Sequence, residues 1–507
     1  MSQPVSYSGW QSEKSGFMGR LSGPGFAMVA TASMIALLPL HLGSWRAALV
    51  CVPISLVLVL LALGRVMGLS ADEWIFLAVR HQIAVAKKQN LFLSGAFAPR
   101  SHRTSEQPMD LPGVLARLRI LNAPDGLGGQ LGIVHDPVAG TYTAITRVTF
   151  PGLALVDTTR QNSRVASWAG LLRAYCTEDS PVVRIAVHQR CLPDDGAALR
   201  SWTARHLAPD APAAAVTALS EVLEGAGPAA TTRETYLSVS LSAARARLAI
   251  KGAGGGQVGA AAVLVRELHA MQGALSGAGL RTTEWLSPRA VAATIRTAYD
   301  PDAHMTLAAQ DAAAQEPGWE GAPPGVDPAL AGPAAADTTW GVYQHDGAWT
   351  VSYQVRTWPQ AYVYATFLQP LLRPRLNARR SMSLVYETLG PRRARQDLAR
   401  ERAKRSSARH LRSKTGRDES EDERREEQRA RTQDAARAAG QGVVRMTGLL
   451  AVTVTDIAEL ETACAELQAD AAAAGLVLRR MWGAQDAGFA AAALPLAQGL
   501  PDRRMGF

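Results

Sequence analysis

The stretch LGIVHDPVAGTYTAITRV, residues 131–148, carries the clearest fold signal in the chain. Its two apolar segments, 131–134 and 141–148, are rich in β-branched residues, and the residues between them, 136–140, begin with Asp-Pro and end with Gly. Asp and Pro favour the start of a tight turn, and Gly favours its end. The sequence therefore predicts a β-hairpin here.

Strand and helix patterns alternate after this hairpin. The predicted elements are a helix at 161–175, a strand at 182–189, a helix at 195–207, a strand at 234–242, a helix at 257–276, a strand at 280–286 and a helix at 288–299. Pro288 fits the first turn of the last helix, where the backbone N–H has no partner to lose. We expect an α+β unit followed by a βαβ unit.

A second hairpin is predicted at 340–343 and 349–356, and its turn begins with His345-Asp346, as the first begins with His135-Asp136. Later elements are strands at 381–387, 443–455 and 476–482 and a helix at 456–474. We interpret the recurrence as an internal duplication. The predicted fold class is α+β, with an N-terminal two-helix transmembrane hairpin, repeated ferredoxin-like or split βαβ units and a projecting charged helical arm.

These patterns divide the chain into nine segments. They are an N-terminal cytoplasmic tail (1–25), a transmembrane hairpin (26–64), a juxtamembrane helix and linker (65–98), a first α+β unit (111–232), a second βαβ unit (233–310), an Ala/Pro/Gly linker (311–337), a β-rich unit (338–390), a charged arm (391–440) and a C-terminal βαβ unit that packs back on the core (441–507).

Size and composition exclude some classes of protein. A chain of 507 residues with 47% apolar and 19% charged residues is too long for one small module and too balanced for a disordered chain or a polytopic transporter. The four cysteines form no CxxC pair, which favours a reducing compartment over a disulfide framework. The net charge of +9 is concentrated between Gly390 and Gly440, where sixteen basic and ten acidic residues occur.

Two uncharged apolar runs, 26–42 and 47–63, flank a short turn. At about 1.5 Å per residue each covers roughly 25 Å, which we interpret as a transmembrane hairpin rather than a buried core hairpin or a signal peptide. Basic residues outside both runs predict that both termini are cytoplasmic. The expected location is therefore a cell membrane.

The motif Ser70-Ala71-Asp72-Glu73 is a capping box that predicts a helix to about Gln89. This helix is expected to lie along the membrane surface or dock onto a partner, or else to pack as an ordinary domain helix. The candidate residues for contact with lipid are Trp45, Arg46, Arg65, Arg80, Lys87 and Lys88.

The charged arm, 391–440, has too few apolar residues to pack into a core, while Glu401 with Arg405 and Glu421 with Arg425 are helix-supporting pairs. A solvated helix pair and a partner-binding arm are both open, and nucleic acid ranks third because acids are interspersed and aromatic residues are lacking. The candidate partner-binding residues are Arg392, Arg393, Arg395, Arg400, Arg402, Lys404 and Arg405.

Recognisable catalytic motifs are missing from the sequence. No GxxxxGK[ST] occurs, and Gly254, Gly256 and Gly259 match GxGxxG without a strand directly before them, so we interpret the glycines as a connector. The two His-Asp pairs are interpreted as turn residues. The chain is predicted to be no enzyme, with no catalytic, cofactor-binding or metal-binding residue.

Taken together, these segments resemble an actinobacterial family of membrane proteins of conjugative elements. That family combines a PrgI-like membrane hairpin with the non-ATPase N-terminal half of the type IV secretion ATPase. The resemblance lies in the hairpin with its exit helix and in LGIVHDPVAGTYTAITRV (131–148), LSPRAVAATIRTAYDP (286–301), RRSMSLVYETLGPRRARQDL (379–398) and LRRMWGAQDAGFAAAALPLA (478–497, with one additional alanine).

The resemblance implies a non-catalytic inner-membrane scaffold of a type IV secretion-like conjugation machine. Its expected partners are the inner membrane, a separately encoded secretion ATPase, other subunits of the machine and further copies of the chain in a ring. The alternatives are a protein like the type VII secretion membrane component E, and a membrane-tethered DNA-binding protein or enzyme.

Overall fold

The structure of the protein is a computed structural model. It describes residues 23–41, 43–66, 69–95, 109–150, 156–193, 197–226, 231–314, 320–359, 363–373, 375, 378–397, 399 and 442–499.

The α-helices of these ranges are α1 (Gly23–His41), α2 (Trp45–Leu63), α3 (Ala71–Ala86), α4 (Thr158–Ala174), α5 (Ala197–His206), α6 (Ala213–Ala226), α7 (Arg247–Gly252), α8 (Gly256–Gly277), α9 (Pro288–Tyr299), α10 (Ala303–Ala313), α11 (Leu460–Ala473) and α12 (Gln485–Ala492). The strands are β1 (Arg65–Val66), β2 (Leu69–Ser70), β3 (Leu91–Leu93), β4 (Arg119–Pro124), β5 (Gln130–Asp136), β6 (Thr141–Thr149), β7 (Val182–Pro193), β8 (Thr231–Ser242), β9 (Arg281–Trp285), β10 (Ala335–Thr338), β11 (Tyr343–His345), β12 (Ala348–Thr357), β13 (Arg379–Leu389), β14 (Val443–Val454) and β15 (Val477–Arg480).

Strands β3 to β15 form one 13-stranded sheet, while β1 and β2 pair with each other. The order is β3-β10-β11-β12-β14-β13-β7-β8-β6-β5-β4, with β15 on β12 and β9 on β6. All these pairs are antiparallel.

The sheet repeats one arrangement twice. A first half, β4 to β9, has the order β4-β5-β6-β8-β7 with β9 on β6, and a second half, β10 to β15, has the order β10-β11-β12-β14-β13 with β15 on β12. Equivalent positions even carry equivalent hydrogen bonds, Thr143 to Ser240 and Thr350 to Thr453, both 2.7 Å between hydroxyl oxygens. The halves meet at β7 and β13, so a pseudo-twofold axis relates them.

The predicted fold class is wrong. The structure is a mixed α/β fold with one large antiparallel sheet, in which no ferredoxin-like unit has a sheet of its own. The reason lies in β7 and β13, because each pairs with the other over eight residues and so satisfies backbone groups that would line an open edge in separate units. Local hydrophobic pattern specifies strands but carries no information on this long-range pairing.

The two halves also share a hydrophobic core on one face of the sheet. It contains Ile295 and Tyr299 of α9 together with Phe489 of α12, whereas the opposite face is covered by α4 and α8 in the first half and by α11 in the second. Arg296 of α9 pairs with Asp346 of the second half at 3.1 Å. This face therefore holds the halves together.

The sheet curves around α9 and α12. Asp110 accepts a hydrogen bond from the N–H of Gly95 and contacts Gly332, both beside the β3-β10 edge, and Arg119 begins β4 at the other edge. The nine steps along the chain from Asp110 to Arg119 reach at most about 32 Å, whereas ten strands laid flat from β10 to β4 would span roughly 43 Å. The edges must therefore approach one another.

Helices α1 and α2 pack against each other near the positions predicted for the N-terminal hairpin, and Met34 and Val57 on them are exposed. Among the described residues, however, no helix combines the length and the apolar character that a membrane span requires. The predicted transmembrane hairpin, the predicted membrane topology and the inner-membrane location are therefore wrong.

Candidate functional site

A buried ion network lies on the shared face of the first half. Glu234 of β8 accepts a hydrogen bond from Arg190 Nε of β7 at 2.7 Å and one from Arg147 Nη2 of β6 at 2.9 Å. The hydroxyl of Tyr236 donates to the same carboxylate at 2.9 Å, and Arg190 Nη1 donates to the carbonyl of Thr294 in α9 at 3.2 Å. The network therefore ties three strands and a helix together.

Burial and charge act in opposite directions on Glu234. Burial alone raises its pKa, but the positive charges of Arg190 and Arg147 and the hydrogen bonds from Arg190 and Tyr236 outweigh burial and lower the pKa to about 2. Glu234 is consequently ionised at neutral pH and holds no transferable proton there. The arrangement suits a structural anchor better than a general acid or base.

His188 lies beside this network, at the centre of the β7–β13 seam, where it is paired with Ser383. Its side chain is buried, and neither ring nitrogen has a hydrogen-bond partner in the described part of the chain. Burial, and then the charge of Arg190, lower the pKa of His188 to about 3, so the ring is neutral at neutral pH.

The two His-Asp pairs lie at the equivalent hairpins of the two halves. Asp136 Oδ1 accepts the N–H groups of Val138 and Ala139, which confirms its predicted role in the turn. His345 is fully buried, with Nε2 2.7 Å from the hydroxyl of Thr350 and Nδ1 beside the carbonyl of Tyr299. Both ring nitrogens of His345 thus have hydrogen-bond partners within the protein.

The glycine motif forms the turn between α7 and α8. Gly254, Gly255 and Gly256 all have positive φ, and α7 separates them from strand β8. Gly259, in the first turn of α8, packs against the carbonyl of Ile250 so closely that a side chain would collide with it. The glycines therefore lie in and beside the connection between these two helices.

The predicted surface residues are only partly described. Trp45, Arg46, Arg80, Lys87 and Lys88 are exposed, and the side chain of Arg65 lies outside the described set. Arg392, Arg393 and Arg395 are exposed on helical residues 391–397. The other four candidates, Arg400, Arg402, Lys404 and Arg405, fall outside the described residues, as does most of the arm. Among the described members, the structure brings the two sets to no common site.

Two long connectors leave the sheet at opposite ends of the β7–β13 seam. The β7–β8 connector carries α5 and α6, and the β13–β14 connector is the charged arm. From Ala213 to Val222 in α6 every residue except Val216 is exposed, including Leu219 and Val222. Helix α6 was not predicted from the sequence, although its Ala and Leu content is typical of a helix. These connectors are the candidate interaction surfaces.

Comparisons with protein-family models and with curated proteins identify no relative. No protein-family model matches the sequence, and no curated protein matches it. The resemblance to conjugative-element membrane proteins therefore stays a prediction.

We predict opposite effects for two substitutions in α8. Gly259→Ala should lower the free energy of unfolding by about 1–3 kcal/mol, because its methyl group collides with the backbone of Ile250. Gly273→Ala is the matched control, since it faces open space in the same helix, and should raise that free energy by about 0.5–1 kcal/mol. Urea unfolding measures both. Equal stability of the two variants would contradict the close packing of α7 on α8.

Glu234→Gln tests the ion network. The lowered pKa of Glu234, about 2 against 4.5, means that its stabilisation is complete above pH 4.5 and is lost as the pH falls towards 2. The variant leaves Arg190 without its buried counter-ion, so stability at pH 7 should fall by about 3–5 kcal/mol, and its decline below pH 4.5 should become shallower. Glu221→Gln on exposed α6 is the control. An unchanged acid profile for Glu234→Gln would refute the assignment.

Proposed function

We propose that this chain is a non-catalytic assembly component that holds other proteins of a larger machine. The observation that carries the proposal is the pair of connectors at opposite ends of the β7–β13 seam, one an exposed apolar helix and the other a charged segment. A rigid, curved sheet that presents two dissimilar surfaces in this way suits simultaneous contact with two partners.

The interior supports a structural role for the body of the protein. Glu234 keeps one ionisation state near neutral pH, as does His188, and both ring nitrogens of His345 are occupied by groups of the fold. These groups stabilise the sheet and leave partner binding to the connectors. The chemistry of the machine would then belong to its partners.

The resemblance to membrane proteins of conjugative elements suggests the kind of machine to which this chain belongs. It favours a type IV secretion-like conjugation machine in which a separately encoded ATPase docks on this chain. Helix α6 is the surface we assign to that ATPase, because exposed Leu219 and Val222 form an apolar strip of the kind that a partner buries.

The experiment measures the affinity of the purified chain for the purified ATPase encoded in the same conjugative element. The double variant Leu219→Asp with Val222→Asp should raise the Kd at least tenfold, because it places charge in the buried contact. Val138→Asp, at the exposed tip of the β5–β6 hairpin, is the matched control and should bind normally. Circular dichroism verifies folding. If the folded double variant binds the ATPase with unchanged affinity, the assignment of α6 as the ATPase-binding surface is wrong.

Nucleic-acid binding is the second candidate, because the arm is uneven in charge. Residues 392–417 contain eleven basic and two acidic residues, whereas 418–440 contain five basic and eight acidic ones. A strongly basic segment can neutralise phosphates with release of counter-ions.

This candidate predicts that the chain binds a duplex oligonucleotide and that the Kd rises steeply with salt. Leu389 and Val443 are paired neighbours, so a short Gly/Ser linker can replace residues 400–440 without strain on the sheet. The deletion should abolish DNA binding in fluorescence anisotropy. DNA binding that survives the deletion would exclude residues 400–440 as its source.

A further inference from the structure

The two halves differ in the connection that precedes the seam. In the first half, β6 leads to β7 through α4, which packs on α8 and buries Leu171 and Leu172. In the second half, residues 358–378 lead from β12 to β13, and their described part contains a single 3-10 turn, Gln369–Leu372, that contacts α11. The pseudo-twofold axis makes α11 the equivalent of α8. The second half should therefore have a space beside α11 that corresponds to the one that α4 occupies beside α8.

The ends of the equivalent helices show where that place lies. Gly279 follows α8 with φ +78°, and the side chain of Arg164 in α4 covers it, with Nε 2.9 Å from the point where a Cβ would stand. Gly475 follows α11 with φ +72°. The Cβ of Pro359 lies 3.4 Å from the point where a Cβ of residue 475 would stand. In the first half of the sheet, the N-terminal part of α4 fills this position. In the second half, loop residues border the equivalent position.

A groove lies at this position, with a volume of about 450 Å³. Apolar and polar atoms line it in nearly equal measure, and its larger side chains are those of Pro359, Val363, Tyr364, Phe367, Pro370 and Arg373. Tyr364 is 58% exposed, which is unusual for an aromatic side chain beside a core. The volume is within the range of roughly 300–1,000 Å³ that is typical of binding clefts.

We propose that this groove binds an amphipathic helix of a partner protein, in the way that the first half of the sheet binds α4. Among the described residues that line the groove, Arg373 alone is charged, and it is exposed. The complementary helix therefore places apolar side chains against Tyr364 and Phe367 and a carboxylate beside Arg373. This proposal rests on the proposed assembly function and assigns it a further surface, separate from α6 and from the charged arm.

The test places a photo-crosslinking amino acid at Tyr364 in cells that carry the whole conjugative element, with Leu330 as control site because its side chain is 67% exposed. The expected result is a crosslink from position 364, and none from 330, to a partner segment with apolar residues at helical spacing and a nearby Asp or Glu. A crosslink from 364 to a second copy of this chain, or the lack of any crosslink at 364, would overturn the proposal.

The crosslinked segment is then made as a synthetic peptide and its Kd for the purified chain is measured. Arg373→Glu should raise the Kd at least tenfold, and replacement of the carboxylate of the peptide by Lys should restore affinity for that variant. Tyr364→Asp should weaken binding of both peptides. The proposed helix is contradicted if Arg373→Glu leaves the Kd of the peptide unchanged. It is also contradicted if the Lys-containing peptide does not restore affinity for that variant.

The two proposals fail in different ways. If Leu219→Asp with Val222→Asp loses the ATPase while no crosslink forms at position 364, the groove proposal fails and the assembly function stands. If the ATPase binds neither surface and position 364 captures nothing, both fail.

Discussion

The pairing of β7 with β13 is the interaction on which the rest of the structure depends. Eight residue pairs, from Arg380 with Cys191 to Glu387 with Arg184, join the two halves into one sheet. Two separate halves would each expose a long edge of unpaired N–H and C=O groups. Because these groups pair across the seam, the halves share one face, and α9 and α12 can build a common core there.

The antiparallel direction of this seam also determines where the functional surfaces lie. The connector after β7 and the connector after β13 leave the sheet at opposite ends. A parallel seam would have placed α6 and the charged arm side by side, where they would compete for one partner. The same pseudo-twofold axis makes the groove beside Gly475 the counterpart of the space that α4 fills beside Gly279.

Many individual elements could be predicted from local sequence. The helix predicted at 288–299 coincides with α9, because Ser287 caps its N-terminus and Pro288 fits its first turn. The hairpin at 131–148 and the helix at 257–276 were also confirmed within a few residues. Short elements were missed, among them β10 and α12, because four to eight residues carry too little periodicity to stand out. Because α6 itself was not predicted, the candidate surface on it was not predicted either.

Local sequence therefore determined the helices, the turns and the residues that can be charged or apolar, since capping, turn chemistry and periodicity act between close neighbours in the chain. Only the tertiary structure decided that β7 pairs with β13, that Glu234 is enclosed by Arg147 and Arg190, and that α1 and α2 do not meet the requirements of a membrane span. Strand edges are chemically alike, so the choice between possible partners depends on the packing of the whole chain, which no local segment specifies.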